Sequence, residues 1–342
     1  MKILFVGNFT TNWSTNHPMV KGLKEKNHHV MKFDFRGLAK KNARIKSSLY
    51  TETFFLYFDS LIRPRLYLPD IIRNIKYYIF GNYRMNQQLL STVRNNDFDI
   101  ILLAKTDTVN YKILKKLKQY SKIWYYFMDP LRVAFQINAY KYAKLADWSS
   151  ASTIIMNHFF LSHGANSHYI TQGFNSDLFK PGKENEDKNI DVIFAGKANA
   201  KRKKYINFLL KKKINVICYG KGWSNGPIYM EELAKKYRHS RIILNFLRLK
   251  SGFSIRIFQA MGTGSLLLSE YCPDLGEIFR KGVHLDWFEN PEESYNMIKY
   301  YLKNEIKREE IAKEGYLFVN KNYSWDKIME RIIKIIENKP RN

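Results

Sequence analysis

The chain of 342 residues is long enough for two ordinary domains, and a hydrophobic content of 45% is that of a globular protein, not a disordered one. Its two cysteines, Cys218 and Cys272, form neither a CxxC pair nor a disulfide framework; no apolar run approaches the roughly 18 residues of a membrane span, and Met1-Lys2 leads straight into a short apolar strand, not a signal-peptide core. A soluble, cytoplasmic protein is expected, and its formal charge of +26 adds attraction to anionic partners, although tracts such as Lys211-Lys212-Lys213-Ile214-Asn215 also read as plain compositional bias.

Lys2 to Val6 has the composition of a buried strand, closed by the turn Gly7-Asn8-Phe9-Thr10. His17-Pro18 then opens a helix, with Pro in the first turn and Asn16 as the cap. Strand, Gly-bearing loop and helix form the first unit of a doubly wound sheet, in which ligands bind outside the strand ends. No GxGxxG is present, so a nicotinamide fingerprint is missing. His29 to Phe33 supplies a second strand. From Arg36 to Arg94 the chain is basic and aromatic. Read as function, that stretch could contact an anionic membrane or another polyanion, at the inner membrane face for instance. Read as structure, Ile71, Ile72, Ile75, Tyr78 and Ile79 are helix-spaced core residues with solvated cations opposite.

Asp99 to Ala104 is a strand ending in Lys105-Thr106-Asp107, and Lys122 to Met128 is another ending in Asp129-Pro130. Polar residues after apolar strands sit at the carboxyl edge of the sheet, which makes Asp129 a candidate acid or base and Lys105 its companion. The plainer reading of Asp129 is a turn residue before proline. Ser152 to Met156 reads as a further strand. His158, His163 and His168 follow at a spacing that shares no helix face and matches no zinc pattern. Residues 173–188 are polar and turn-rich, and read as a linker between a first domain, 1–172, and a second that restarts at 189.

The second half repeats the alternation. Ile190 to Ala195 is a strand, followed by Gly196-Lys197 and the basic start of a helix at Lys201-Arg202. A Gly and cations at a helix start suit a phosphate. Asn215 to Tyr219 is the next strand, closed by Gly220-Lys-Gly222-Trp223; a helix around Glu232 to Tyr237 and a strand from Arg241 to Asn245 follow. In Lys250 to Glu270, the residues Ser251, Gly252 and Ser254 precede a helix from Ile255, with Arg256 adding a fixed charge. Gly262 and Gly264 end that helix in left-handed conformations, and Ser265 to Ser269 is a buried strand. Three strand ends of one sheet thus carry Gly, cations and small polar groups, the make-up of a single anion site. The segment from Glu292 to Asn338 reads as packed helices.

Phe194-Ala-Gly196 with Arg202, Tyr219-Gly220-Lys-Gly222-Trp223, Ile243-Leu244-Asn245, Arg256-Ile-Phe-Gln259-Ala-Met-Gly262-Thr-Gly264 and Ile311-Ala-Lys-Glu-Gly315 together resemble the C-terminal domain of GT-B glycosyltransferases. The likeness is to the spore-maturation CgeB-like branch, related to the retaining nucleotide-sugar transferases; Gly173 to Pro181 resembles the segment before their domain crossover. The resemblance implies an α/β chain of two Rossmann-like domains facing across a cleft. Residues 189–322 would hold a UDP- or GDP-type sugar nucleotide, and a last helix, within 323–342, would return to the first domain. It implies Arg202 and Lys197 facing the diphosphate, backbone donors at Ser254, and Gln259 where relatives carry a ribose-gripping Glu. Gly7, Asn8, Gly196, Tyr219, Gly220, Gly222, Trp223, Asn245, Ser251, Gly252 and Arg256 complete the expected donor set. The departure lies in the relatives' Glu pair, which is Ser251 and Gln259 here. An amide can still accept from one hydroxyl and donate to another. The nucleotide sugar is then a substrate, neither metal nor cofactor is expected, and the acceptor lies near residues 7–16, 105–107 and Asp129. The competing reading is a non-catalytic basic protein that binds nucleic acid or anionic membrane.

Overall fold

A computed structural model describes residues 1–43, 81–104, 108–129, 131–182, 188–247, 252 and 254–338. Along the described chain the elements run β1 (Lys2–Gly7), α1 (Asn16–Glu25), β2 (His29–Asp34), α2 (Phe35–Asn42), α3 (Asn82–Arg94), β3 (Ile100–Ala104), α4 (Tyr111–Leu117), β4 (Lys122–Phe127), α5 (Leu131–Ile137), α6 (Ala139–Leu145), β5 (Trp148–Ala151), α7 (Ile154–Ser162) and β6 (Ser167–Tyr169). They continue with β7 (Ile190–Ala195), α8 (Ala200–Lys211), β8 (Val216–Tyr219), α9 (Met230–Arg238), β9 (Ser240–Asn245), α10 (Arg256–Gly262), β10 (Leu266–Glu270), α11 (Pro273–Ile278), β11 (Asp286–Phe288), α12 (Pro291–Lys303), α13 (Glu305–Tyr323) and α14 (Trp325–Glu337). Two units form: one of Met1–Ser152 with Met156–Tyr169, the other of Thr153–Ile155 with Ile170–Asn342.

Each unit is built on its own parallel sheet. The first has the order β2-β1-β3-β4-β5-β6, the second β11-β10-β9-β7-β8. Counted within its unit, each sheet therefore begins 2-1-3-4-5, the doubly wound order in which helices cover both faces. The winding reverses beside the first strand, between β1 and β3 and between β7 and β9, and the crevice outside those strand ends is where such sheets take ligands.

The strand sequences account for this burial on both faces. In β7, Val192 and Phe194 pack into one core with Tyr205, Ile206 and Leu209 of α8, Ile298 and Tyr301 of α12 and Ile311 of α13. The alternate residues Ile193 and Ala195 pack into another with Leu233, Ala234 and Tyr237 of α9, Ile257 and Phe258 of α10 and Leu275 of α11. Side chains alternate across a strand, so a strand covered on both sides has no polar positions to spare. Each large apolar side chain buried this way contributes about 1.5–3 kcal/mol.

The structure corrects several sequence expectations. The strand expected over Ser152 to Met156 is β5, four residues earlier in its start, and Ile154 to Met156 begin α7. A short apolar run does not distinguish strand from buried helix. The true strand was hidden by Ser149 and Ser150, both fully buried, which are satisfied in place: Ser150 Oγ accepts from Trp124 Nε1 at 2.9 Å and Ser149 Oγ donates to the Asn166 carbonyl at 3.2 Å. Asn16 is not a cap but a buried first helical residue, whose Nδ2 donates to the Asn8 carbonyl at 3.2 Å. The expected linker is not loose over residues 173–182. Phe174 and Phe179 lie in the core of the second unit, and the backbone of Phe174 bonds to Tyr323 and Trp325 at 3.0 Å each. Gly264 takes the left-handed conformation, φ +71°, whereas Gly262 is helical; a β-carbon there would come within 2.5 Å of the Phe174 ring, so close packing is its requirement. Among the described residues no helix is long and apolar enough to cross a membrane.

Candidate functional site

Gly196 is the hub of the second unit's strand ends. It follows β7 directly, its N–H donates to the Tyr219 carbonyl at 2.8 Å, and its carbonyl accepts from Trp223 Nε1 at 2.8 Å. Ala198 N donates to the Lys221 carbonyl at 2.9 Å, so the loops after β7 and β8 are laced together. Gly220 has φ +132°, and a β-carbon on it would lie 2.3 Å from the Gly196 carbonyl oxygen. Gly222, at φ +90°, would place a β-carbon 3.0 Å from that of Ala198. Only residues without side chains let these two loops approach so closely.

Two guanidinium groups reach the same spot. A β-carbon on Gly196 would lie 3.1 Å from Arg256 Nη1 and 3.3 Å from Arg202 Nη1. The two arginines are in different situations. Arg202 is buried, stacks over the Phe194 ring at 5.3 Å and donates from Nη1 to the Lys197 carbonyl at 2.8 Å and from Nη2 to the Phe246 carbonyl at 2.7 Å. It thereby clamps the Lys197 loop to the end of β9. Arg256 is half-buried, with Nε donating to Ser254 Oγ at 3.3 Å. Its charge is felt inward as well, because burial pushes the Tyr237 hydroxyl up to about 12 while Arg256 opposes the shift. Lys197, which follows Gly196 in the chain, is exposed. Asn199 caps α8, accepting from Arg202 N at 2.9 Å.

The remaining expected residues divide. Tyr219 joins the cluster through its carbonyl, with Lys236 Nζ 5.9 Å from its ring. Asn245 is buried, its Nδ2 donating to Ser269 Oγ at 2.9 Å, so it braces the ends of β9 and β10 and does not point outward. Gly252, at φ +72°, sits where a β-carbon would meet Thr153 Cγ2 at 2.3 Å. The backbone donors expected at Ser254 are partly used, since Ile257 N donates back to the Ser254 carbonyl at 3.1 Å. Gln259 is half-buried on α10. Ser251 and Lys105, with Thr106 and Asp107, lie outside the described residues, as does 44–80 of the basic Arg36 to Arg94 stretch.

In the first unit, Gly7 and Asn8 occupy the switch point after β1. The Asn8 carbonyl accepts from Ser14 Oγ at 2.5 Å, and Asn8 Oδ1 accepts from Thr10 N at 3.2 Å. Gly7 is buried, and a β-carbon there would come within 2.6 Å of Asn16 Nδ2. Asp129 is half-buried just beyond β4.

Sequence reasoning missed Glu270 and Asp34. Glu270 ends β10, pairs with Lys201 and accepts from Leu247 N at 3.0 Å, which fixes the chain leaving β9. Asp34 ends β2, caps α2 through Gly37 N at 3.1 Å and accepts from Phe9 N at 3.2 Å. The signal for both was present: a carboxylate immediately after an apolar strand. Among the described residues no group of three or more His, Cys, Asp or Glu is gathered as metal ligands would be.

Residues 201–334 match the family model described as glycosyl transferase-like. The chain is similar to HepE of Anabaena in complex with UDP and glucose, with TM-score 0.67 and 12% identity over 99% of this chain and 100% of that one. It is similar to sucrose-phosphate synthase from Thermosynechococcus elongatus, with TM-score 0.69 and 12% identity over 98% of each chain. A glycosyltransferase from Rickettsia africae ESF-5 gives TM-score 0.63 and 12% identity over 99% of each chain. A comparison with curated proteins finds no match. At these identities the likeness is one of fold, and the fold is that of the GT-B glycosyltransferases.

Proposed function

We propose that this protein is a glycosyltransferase that takes a sugar from a UDP- or GDP-type donor, belongs to the CgeB-like branch, and holds the donor's diphosphate against Gly196. The observation that carries the reading is the convergence on Gly196 of the Gly220 loop and the Arg256 guanidinium, outside the switch point of the second sheet. Its support is the glycosyl transferase-like match over the same unit and the binding of UDP-glucose by HepE, a protein of the same fold.

In the proposed reaction the bond between the sugar's anomeric carbon and the diphosphate oxygen breaks, and its electron pair stays on the diphosphate. An acceptor hydroxyl forms the new bond and loses its proton, with Asp129 as the candidate base. The barrier falls when positive charge is already in place where negative charge develops. Arg256 and Lys197 supply that charge without a metal, while Arg202, Trp223 and Glu270 hold the loops that carry them. Family analogy favours retention of the anomeric configuration.

Thermal unfolding in the presence of UDP, GDP, UDP-glucose and GDP-mannose tests this, because a ligand of the folded state alone raises the midpoint, by about 2.7 kcal/mol of stability at a hundred times its dissociation constant. One base is expected to stabilise the protein at micromolar to millimolar concentration. No shift with any of the four would overturn the reading.

A further inference from the structure

Asp and Glu account for 31 of the 342 residues, yet α2, α3, α4, α5, α6 and α7, which pack into one core over the first sheet, contain none. A helix dipole favours carboxylates in the first turn and cations in the last. Helices of the second unit show the first half of that pattern, with Glu231 in α9, Asp274 in α11, Glu292 in α12, Glu305 in α13 and Asp326 in α14. The layer on the first sheet keeps only the second half: Arg94 lies in the last turn of α3, Lys115 and Lys116 in that of α4, and Lys144 in that of α6. An excess of lysine in the chain accounts for these cations, not for the missing carboxylates.

The cations gather at one edge. Each of these helices runs back to the start of the next strand, so Arg94 precedes β3, Lys115 and Lys116 precede β4, and Lys144 precedes β5, all at the amino edge of the sheet. Arg94 Nε donates to Tyr120 Oη at 3.0 Å, and Lys118 Nζ donates to the Leu145 carbonyl at 2.7 Å, which ties the three helix ends together. A β-carbon on Gly164 would lie 3.8 Å from Lys144 Nζ, so the end of α7, with Leu161, adjoins them. The carboxylates at this edge are already engaged or outnumbered: Asp99 accepts from Lys2 N at 2.6 Å, Asp147 lies 3.7 Å from Lys118 and 3.8 Å from Lys122, and Asp97 is exposed. Among the described residues Lys115, Lys116, Lys141 and Lys144 are exposed and pair with no carboxylate.

The rings in this patch decide which anion it fits. A nucleic-acid strand is held by bases stacked on open aromatic faces. Here Lys115 Nζ lies over Tyr111 at 5.2 Å, Lys141 Nζ over Tyr140 at 5.9 Å and the Arg94 guanidinium over Tyr120 at 5.7 Å, so each ring carries a cation. A bilayer asks for something else: positive charge spread over several helices, with aromatic and aliphatic side chains reaching the headgroups. Tyr120 and Leu161, 45% and 48% exposed, supply the latter. We propose that the amino edge of the first sheet, formed by the ends of α3, α4, α6 and α7, docks on an acidic membrane surface. Of these cations only Arg94 belongs to the Arg36 to Arg94 stretch. The carboxyl edge, with Gly7 and Asn8, then points away from the bilayer, and ligands reach it from water. The docking does not depend on the transferase reading.

Co-sedimentation of the full chain with vesicles tests this, comparing phosphatidylcholine alone with phosphatidylcholine containing about 30% phosphatidylglycerol, in about 0.1 M salt. Only the acidic vesicles should bind. Each cation near an acidic leaflet strengthens binding about fivefold, so the joint variant Lys115→Gln, Lys116→Gln, Lys141→Gln, Lys144→Gln should bind about 100- to 1000-fold more weakly. Leu161→Ser should bind about tenfold more weakly. A second joint variant, Lys203→Gln, Lys204→Gln, Lys211→Gln, Lys299→Gln, removes the same charge from the second unit and should stay within about threefold of the parent. All are measured below their own unfolding midpoints. The proposal is wrong if the parent binds both kinds of vesicle alike or neither, if the second-unit variant loses as much as the first-unit one, or if Leu161→Ser binds as the parent does. It is also wrong if an oligothymidylate binds the parent more tightly than acidic vesicles do in the same salt, which would make this a nucleic-acid surface.

Discussion

Arg256 Nη1 lies 3.1 Å from the point where a β-carbon on Gly196 would stand. The guanidinium therefore borders the Gly196 backbone, and in the proposed reading it meets the donor's diphosphate there. A hydrogen bond to a charged group is worth about 1.5–3 kcal/mol, so Arg256→Ala should weaken nucleotide binding about 10- to 150-fold. Arg256→Lys keeps the charge without the planar fork and should fall between the two. Calorimetric titration with UDP and GDP checks both variants.

Gly220 and Gly226 both have positive φ, +132° and +67°, but differ in surroundings. A β-carbon at Gly220 meets the Gly196 carbonyl oxygen at 2.3 Å, whereas at Gly226 nothing lies within 4 Å. Gly226→Ala should cost about 1 kcal/mol of stability, the conformational penalty alone. Gly220→Ala should cost about 2–4 kcal/mol and abolish the nucleotide response, because two backbones must separate. Denaturant midpoints of the two variants measure the difference.

Gln259 is half-buried on α10 and is proposed to meet the ribose. A carboxylate there accepts from two hydroxyls at once with charge assistance, so Gln259→Glu should bind the nucleoside diphosphate about as tightly or up to tenfold more tightly. Gln259→Leu should weaken it about tenfold without lowering the unfolding midpoint. Equal affinity of Gln259→Leu and the parent would remove this residue from the site.

His284 is buried, stacked on Phe318 at 4.0 Å, and its Nδ1 accepts from Arg280 N at 3.2 Å. Burial, and then the Arg280 charge, lower its pKa from the ordinary 6.5. Between the folded value and 6.5 the unfolded chain binds more protons, so stability is lost as pH falls through that window. The unfolding midpoint of the parent should therefore drop more steeply below pH 6.5 than that of His284→Asn. Asp286, whose pKa is raised mainly by burial, acts with the opposite sign: its contribution to stability diminishes as pH rises through its folded value.

Much of the fold was legible because parallel strands covered on both faces carry runs of consecutive apolar residues, as Ile3–Val6, Ile100–Ala104, Ile123–Phe127, Val192–Ala195, Ile242–Leu244 and Leu266–Leu268 do. Two things defeated the sequence. Ser149 and Ser150 hide β5 because their hydroxyls find partners only in three dimensions, and β11, with three residues, is too short to carry a period. At the candidate site, the glycines and Arg256 could be read from their positions after strands. That Arg202 faces inward could not, since burial of a guanidinium depends on the carbonyls of Lys197 and Phe246, the second far off in sequence. The core role of Phe174 and Phe179 was masked by the polar residues between them.

The first sheet is wound outward from β1, which pairs with β2 on one side and with β3, beginning at Ile100, on the other. During synthesis at about 5–20 residues per second, one edge of the first strand waits roughly 5 to 20 seconds for its second neighbour to leave the ribosome. Throughout that interval a fully apolar ribbon with unmet amides is open to its copies on adjacent polysomes. Yield in a foreign host should accordingly respond to chaperone supply and growth temperature more than to the folded protein's own stability.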